Sequence, residues 1–436
     1  MAESIRRFDV LVIGAGPAGL NAAAAAASHG VRVGLIDAQP RPGGQVWRHD
    51  VAVPPPSQAV EALATVSRRG VEWIAQAQVA QVEPESLRVE TAQGVLRLHY
   101  RSLVLATGAR ELLLPFPGWT LPGVSGAGGA QALAKQGWPM TGKRVIVAGS
   151  GPLLLAAAVT LKRHGAQVLG IHEQASSGAV RAFALRLPRW PGKAAQALGM
   201  KLQLAGIAYR TGSMAVAAHG DARLREVEID GPRGRERIAC DHLAVGYGLV
   251  PSTELAQLIG CRLDLEGTHP AVVVDAELRT SVDRVFAAGE ALGIGGRDCA
   301  QVEGAMAGHF AAGQPGPARA LQGKRRHARA FAELLARSFP LDPRVRDLAD
   351  ADTVICRCED VALRQLQGFA SARDARLATR CGMGACQGRI CGTALAELAL
   401  ACAESPGADR RPPLFPARLA TLAESFSNHS SQGAIT

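Results

Sequence analysis

Phe8-Asp9-Val10-Leu11-Val12-Ile13-Gly14-Ala15-Gly16-Pro17-Ala18-Gly19, running on through an alanine-rich segment to Val31 and Asp37, decides the fold of this chain. The first six residues are a short β-branched apolar run of the kind buried in a parallel sheet. A glycine turn follows at once and opens Leu20 to Ser28, a segment of high helix propensity. Gly30 ends that helix, and Val31 to Ile36 reads as a second strand closing on Asp37. Gly14 makes the tight turn, Gly16 lets the backbone approach a pyrophosphate, and Gly19 lets helix and strand pack closely. The N–H groups and positive dipole end of the helix then face the phosphates. Asp37, about twenty residues past the turn, is placed to accept hydrogen bonds from an adenosine ribose. A lone glycine motif is weak evidence. With its strand, helix and terminal acid in order it predicts a dinucleotide site.

At 436 residues the chain calls for two or three domains. Hydrophobic residues make up 47% of it, enough to fill their cores. No run of about 18 apolar residues is free of glycine or charge, so no membrane span is expected. Arg6-Arg7 ahead of an apolar run imitates a twin-arginine export signal, but that run contains Asp9 and becomes the nucleotide turn. Together with cysteine usage this points to the cytoplasm. Of nine cysteines, Cys240, Cys261, Cys299 and Cys402 are scattered singly, and the other five lie between Cys356 and Cys391. Such clustering reads as metal binding sooner than disulfides. The net charge of +10 comes from dispersed arginines, densest from Lys324 to Arg329. That run reads as a solvated helix face, with an acidic protein partner as the alternative. No aromatic-interleaved basic patch accompanies it, which argues against nucleic acid.

Beyond Asp37, Arg41-Pro42-Gly43-Gly44-Gln45-Val46-Trp47 is turn-rich and must lie outside the sheet. Residues 58 to 69 read as helix, Val71 to Val89 as short strands, and Leu103-Val104-Leu105-Ala106-Thr107-Gly108 as a buried strand ending in a glycine turn. Pro115 to Gly129, rich in proline and glycine, reads as an interdomain linker. A second unit then repeats the first: strand Arg144 to Ala148, turn Gly149-Ser150-Gly151-Pro152, helix Leu153 to His164, and strand Val168 to His172 ending on Glu173. Leu154 occupies the third glycine position, so this second site is expected to be altered or empty, and Glu173 would repel the 2′-phosphate of NADP. Leu243 to Gly248 is expected to return the chain to the first domain, followed by Val285-Phe286-Ala287-Ala288-Gly289-Glu290 and a helix from Gln301 to Ala312. The predicted fold is α/β. It has two Rossmann-like dinucleotide-binding domains, residues 1–125 with 243–320 and an inserted 126–242. A small helical cysteine domain spans 345–404 and an extended tail 405–436.

Cys356-Arg357-Cys358 with Cys386 and Cys391 offers four thiolates, a number that suits an iron–sulfur cluster or structural zinc. Gly382, Gly384, Gly388 and Gly392 let backbone N–H groups approach sulfur closely. Arg357, Arg380 and Arg389 are available to offset thiolate charge. Zinc usually takes a Cys-x-x-Cys knuckle, and none is present, which favours [2Fe-2S]. Cys381 is the odd thiol and reads as a neighbour of the ligands.

With Gly14 to Gly19, Ala106-Thr107-Gly108 and Ala287-Ala288-Gly289-Glu290 in order, residues 5 to about 312 resemble the two-dinucleotide-domain flavoproteins typified by thioredoxin and glutathione reductases. The resemblance implies FAD at Gly14, Gly16, Pro17, Ala18, Gly19, Asp37, Gln45, Thr107, Gly108, Gly289 and Glu290. That family usually carries Asp where this chain has Glu290, so the longer side chain either bonds the ribityl chain or crowds the site in favour of ATP or ADP. The redox Cys-x-x-Cys of the reductases is absent, which excludes their disulfide chemistry. The cysteine module resembles bacterioferritin-associated ferredoxin, with its second pair spaced more widely; the resemblance implies Cys356, Cys358, Cys386 and Cys391 as ligands.

Further stretches resemble a narrower group: Pro117-Gly118-Trp119 through Gly123-Val124, Trp190-Pro191-Gly192-Lys193, Gly246-Tyr247-Gly248-Leu249-Val250-Pro251, and Thr379-Arg380-Cys381-Gly382-Met383-Gly384 with Cys386-Gln387-Gly388. The group comprises the alpha subunits of D-hydroxyproline dehydrogenases, the corresponding subunits of opine oxidases and the middle subunit of hydrogen cyanide synthase, with sarcosine oxidase more distant. It implies an electron-transfer subunit working with two others, a D-amino-acid-oxidase-like beta subunit plus a small ferredoxin-like gamma subunit. FMN between subunits is a further option. No residue of this chain reads as a catalytic base. Two rivals stand beside that reading: a self-contained NADH-dependent reductase, and a non-catalytic nucleotide-binding scaffold.

Overall fold

The computed structural model describes residues 4–264, 268–400 and 411–423. Strand Ser4–Ile13 runs parallel to Val33–Ile36 on one side and to Gly94–Leu105 on the other. Gly94–Leu105 is long enough to serve two partners. Its first half pairs antiparallel with Ser86–Thr91, and its last three residues pair parallel with Val285–Ala287. The late segment is thereby carried back beside the first glycine turn, about 270 residues after it in sequence.

The alanines of helix Pro17–Ala27 serve packing as well as propensity. Helix Arg297–Ala311 lies so close that a Cβ on Gly304 would stand 2.0 Å from the Ala18 carbonyl oxygen, and one on Gly308 2.1 Å from that of Ala22. Beneath them lies a core of Val10, Val12, Leu35, Val104 and Phe286, and Leu11, Leu103, Leu105 and Val285 fill the other face of the sheet.

The second sheet is wholly parallel in the order Tyr209–Thr211, Gln167–Glu173, Arg144–Gly149, His242–Gly246, Val124–Gly126. Two sequence expectations change here. The stretch at Leu243 does not yet return to the first domain, because His242–Gly246 is wedged between Arg144–Gly149 and Val124–Gly126. The crossing comes after Gly246, where Leu249–Pro251 pairs antiparallel with Ala109–Glu111. The end of the expected linker is likewise structured, with Val124–Gly126 as an edge strand and Ala127–Lys135 as a helix. A buried apolar run is compatible with either sheet; only pairing assigns it.

Helix Gln322–Ser338 leads from the first domain and packs Phe331, Leu334 and Leu335 against Phe183, Leu187 and Trp190 of the second. Two arginines of the run expected to be solvated, Arg325 and Arg329, bond the fully buried Glu303 instead. The cysteine module is built on Ile355, Val361, Leu366, Ala375 and Leu395, with a small antiparallel pair added to its helices. Of the tail, residues 411–423 run along the first domain, where Leu414 is buried and the Arg418 N–H donates to Glu90 at 2.9 Å. Cys402, residues 405–410 and residues 424–436 lie outside the described residues. Among the described residues no helix is long and apolar enough to cross a membrane.

Candidate functional site

The first glycine turn is shaped by what surrounds it. A Cβ on Gly14 (φ +101°) would stand 2.3 Å from the Ala106 carbonyl oxygen, and one on Gly19 1.7 Å from that of Gly14. Gly16 differs: a Cβ there would meet only the Cα of Gly44, at 3.8 Å. Its neighbour there is a loop glycine with no side chain, so backbone can approach a pyrophosphate once that loop gives way. The helix begins on Pro17 with no side-chain cap and no acid in its first turn, leaving its positive end for an anion. Asp37 accepts the N–H of Ala15 at 2.7 Å and of Gln39 at 2.8 Å, which fixes its carboxylate at the rim of the turn. These features fit the ADP half of FAD.

The other expected contacts gather around the same point with different occupations. The Gly43 N–H donates to the Ala15 carbonyl at 2.7 Å and draws the Arg41 to Trp47 loop over the turn. Gln45 is exposed and accepts from Arg48. The Thr107 hydroxyl donates to the Ser252 carbonyl at 2.6 Å, and Gly108 follows it with φ +73°. Gly289 packs so closely on helix Pro17–Ala27 that a Cβ would stand 2.9 Å from that of Ala18. Glu290 turns into its own loop, accepting the N–H groups of Gly295 at 2.8 Å and Gly296 at 2.9 Å. Burial raises its pKa, against the pull of those two N–H groups and of Arg329.

Sequence reasoning missed Glu303. It is wholly buried and accepts the Gly289 N–H at 3.1 Å while bonding Arg325 and Arg329. The available signal was a single acid amid the alanines and glycines of an otherwise buried helix face.

All five clustered cysteines converge. The sulfurs of Cys356, Cys381 and Cys391 lie within 4.8 Å of one another and are buried. Cys358 and Cys386 form a hydrogen-bonded couple nearer the surface, with Cys358 exposed. Cys381, read from the sequence as a neighbour, stands in the same buried group as Cys356 and Cys391. Backbone donors face the sulfurs: Gly382, Glu359 and Cys358 toward Cys356, and Ile390, Gly388 and Arg389 toward Cys386. Burial raises Cys356, whereas at Cys386 those N–H bonds and the hydrogen bond with Cys358 overcome burial and lower the thiol's pKa. Hydrogen bonding with Cys381, then burial, pushes Cys391 up. Buried and surface thiols ringed by backbone N–H groups offer a donor set for a soft metal ion or an iron–sulfur cluster, whose sulfurs take such bonds. A Cβ on Gly384 would stand 2.3 Å from that of Cys358, which explains that glycine. The nearby arginines have other partners: Arg357 lies over the Trp119 ring, Arg380 pairs with Glu359 at 2.8 Å, and Arg389 donates to the Leu414 carbonyl at 2.7 Å.

Residues 8–314 match the family described as pyridine nucleotide-disulphide oxidoreductase. The A subunit of opine oxidase from Rhizobium meliloti (strain 1021) is 32% identical over 455 residues, covering 96% of this chain and 98% of that protein. Hydrogen cyanide synthase subunit HcnB of Pseudomonas protegens is 32% identical over 428 residues, covering 88% of this chain and 90% of that one. Among solved structures, L-proline dehydrogenase from P. horikoshii superposes with a TM-score of 0.70 at 18% identity, covering 97% of this chain and 80% of its own. Thioredoxin reductase from T. acidophilum gives 0.54 at 21%, covering 71% and 98%. At these identities the solved structures speak to the fold alone.

Proposed function

This chain belongs to the pyridine nucleotide-disulphide oxidoreductase family, alongside the A subunit of opine oxidase and HcnB, and from that premise we propose that it is the electron-relaying alpha subunit of a heteromeric flavin-dependent dehydrogenase acting on a CH–NH group. The family domain implies FAD, and the names of the relatives imply partner subunits. The finer reading is that a D-amino-acid-oxidase-like beta subunit oxidises a D-hydroxyproline- or opine-type substrate. Cys356, Cys358, Cys386 and Cys391 would hold a [2Fe-2S] cluster, which would supply one-electron relay between the flavin and a respiratory acceptor, in the cytoplasm, with a small ferredoxin-like gamma subunit completing the complex. FMN between subunits is part of the same proposal.

The observation that carries this reading is the thiol cluster, held by backbone N–H groups on a body that already has a glycine turn. When bound, flavin and cluster together would convert a two-electron input into single-electron output. The chain's own residues bind and orient. Gly16 leaves room for the pyrophosphate, Asp37 presents a carboxylate to the ribose, and Gly289 with Glu303 holds the late segment against the turn. The backbone N–H groups of Gly382 and Gly388 donate toward the sulfurs of Cys356 and Cys386 and keep them in place. No catalytic base is assigned, and substrate oxidation is left to the partner.

Co-expression with a flavin-bearing partner, followed by dye reduction with D-proline, hydroxyproline and opines, tests the proposal. Turnover should require both chains. Substrate-driven turnover by this chain alone at the rate of the complex would refute it.

A further inference from the structure

The second glycine turn has the parts of a nicotinamide site, yet its surroundings differ from those of the first. Beside Gly16 the nearest obstacle is another glycine's Cα, at 3.8 Å from an added Cβ. Beside Gly151 it is the side chain of Phe339, with Cγ at 3.7 Å and Cβ at 3.8 Å from an added Cβ. Gly151 is the position at which a dinucleotide's pyrophosphate would meet the backbone. The Ser150 hydroxyl donates to the Phe339 carbonyl at 3.4 Å. Gln174, buried at the end of strand Gln167–Glu173, holds the next residues with both ends of its amide. Its Nε2 donates to the Pro340 carbonyl at 3.0 Å, and its Oε1 accepts the Asp342 N–H at 3.3 Å. Phe339 also stands edge-on to Phe183, with ring centroids 5.1 Å apart.

The acid that would receive ribose hydroxyls makes the same pair of backbone bonds as Asp37 does in the first unit, but it is buried where Asp37 is part-exposed. Glu173 is fully buried and accepts the N–H of Gly151 at 2.7 Å, the N–H of Ala175 at 2.9 Å and the Tyr209 hydroxyl at 3.3 Å. Burial raises its pKa and also places it beyond the reach of a ligand.

We propose that the second dinucleotide-binding unit is occupied by the chain itself: residues Phe339 to Asp342 lie across the Gly149–Gly151 turn, and this cofactor-type site serves as the socket that mounts the cysteine module. The direction of the chain gives the socket its purpose. Past Asp342, Val345 is buried in the core of the second domain, and Val354–Cys356 follows, with the Trp119 indole N–H donating to the Val354 carbonyl at 2.6 Å. Arg110 adds a bond from Nε to the Arg389 carbonyl at 3.1 Å. The thiol cluster is thus held at a fixed place on the body, which a one-electron relay requires and a free linker would not provide. A nicotinamide dinucleotide would have to displace Phe339 and break the Gln174 clamp before reaching the turn.

Two measurements on the full chain test this. Isothermal titration with NADH and NADPH should show no saturable binding up to millimolar concentration, and saturation in the micromolar range would overturn the proposal. Gln174→Ala should speed amide exchange at Leu341 and Asp342 at least tenfold and open the connector to protease, while exchange in strand Arg144–Gly149 stays unchanged. Should that variant fold poorly, Phe339→Ser at a half-exposed position provides the same readout. Connector exchange and cleavage unchanged in a folded variant would show that the socket does not hold it.

Discussion

Glu303 gives the sharpest test of how the late segment is held against the nucleotide turn. Its Oε1 accepts from Arg325 Nε and Arg329 Nε, each at 2.9 Å, and its Oε2 from Arg329 Nη2 at 2.8 Å and the Gly289 N–H at 3.1 Å. The carboxylate is fully buried, whereas the two arginine side chains are 23% and 25% exposed. Glu303→Gln keeps the shape but removes the charge and turns an NH₂ group toward guanidinium. Removing one partner of a buried ion pair costs roughly 3–5 kcal/mol. The partial exposure of both arginines lets water compensate, which places the loss near the lower end, about 3 kcal/mol. For a domain of this size that corresponds to a fall of roughly 6–12 °C in its thermal transition. Differential scanning calorimetry should show the first domain's transition falling by that amount and the second domain's staying in place. Bound nucleotide should also be retained less well through gel filtration, because the Gly289 N–H loses its anchor. A fall below about 2 °C with nucleotide content unchanged would mean that the cluster is solvated and does not hold the turn.

Three further outcomes follow from named residues. Cys391→Ser should abolish the broad visible absorbance and the iron content of anaerobically purified protein; stoichiometric zinc without iron in the unaltered chain would end the [2Fe-2S] proposal. Gly16→Val should lose the bound nucleotide, since the new side chain fills the space of the pyrophosphate, and chromatography of the released molecule from unaltered protein decides between FAD and ATP or ADP. Burial pushes His172 and His242 down to about 4 from an ordinary 6.5. Between those values the unfolded chain binds more protons than the folded one, so stability is full above 6.5 and is lost as pH falls towards 4, by up to about 3 kcal/mol for each histidine. His242→Gln should flatten that slope in urea titrations at pH 7 and 4.5, and an unaltered slope would exclude His242 as a source.

What the sequence made legible was local. Gly14, Gly16, Gly19 and Asp37 sit within thirty residues of one another, and strand, turn and helix follow from neighbours in the chain. The cysteine cluster was legible for the same reason, although the structure groups Cys356 and Cys391 with Cys381 and pairs Cys358 with Cys386 beside them. Cys381 was harder, because spacing cannot say whether a fifth thiol points inward; its position beside Cys356 and Cys391 depends on the turn that follows helix Ala372–Thr379, where Arg380 takes φ +64°. Glu290 shows the converse. Its place after a glycine implied a ligand contact, and the sequence did not show that its carboxylate also accepts two N–H groups of a loop five and six residues on.

The second unit shows where reading along the chain stops. Leu154 in the third glycine position already argued against a working site. In the structure it is fully buried against the Gly246 strand, where a Cβ on Gly246 would stand 3.3 Å from Leu154 Cδ2, so the helix stays packed without the glycine. What closes the turn, however, arrives from residues 339–342, more than 160 positions after Gln174, and nothing in either stretch names the other. Between them runs helix Gln322–Ser338, which sets Arg325 and Arg329 on Glu303 and lays its apolar side on Phe183 and Trp190. Those contacts bring Phe339 to Gly151, and Gln174 then fixes the exit of the chain toward Cys356. Two arginines of a run whose Lys324 and Arg326 stay exposed are therefore the first link in a path from the flavin-type turn, through the second nucleotide-type turn, to the thiol cluster.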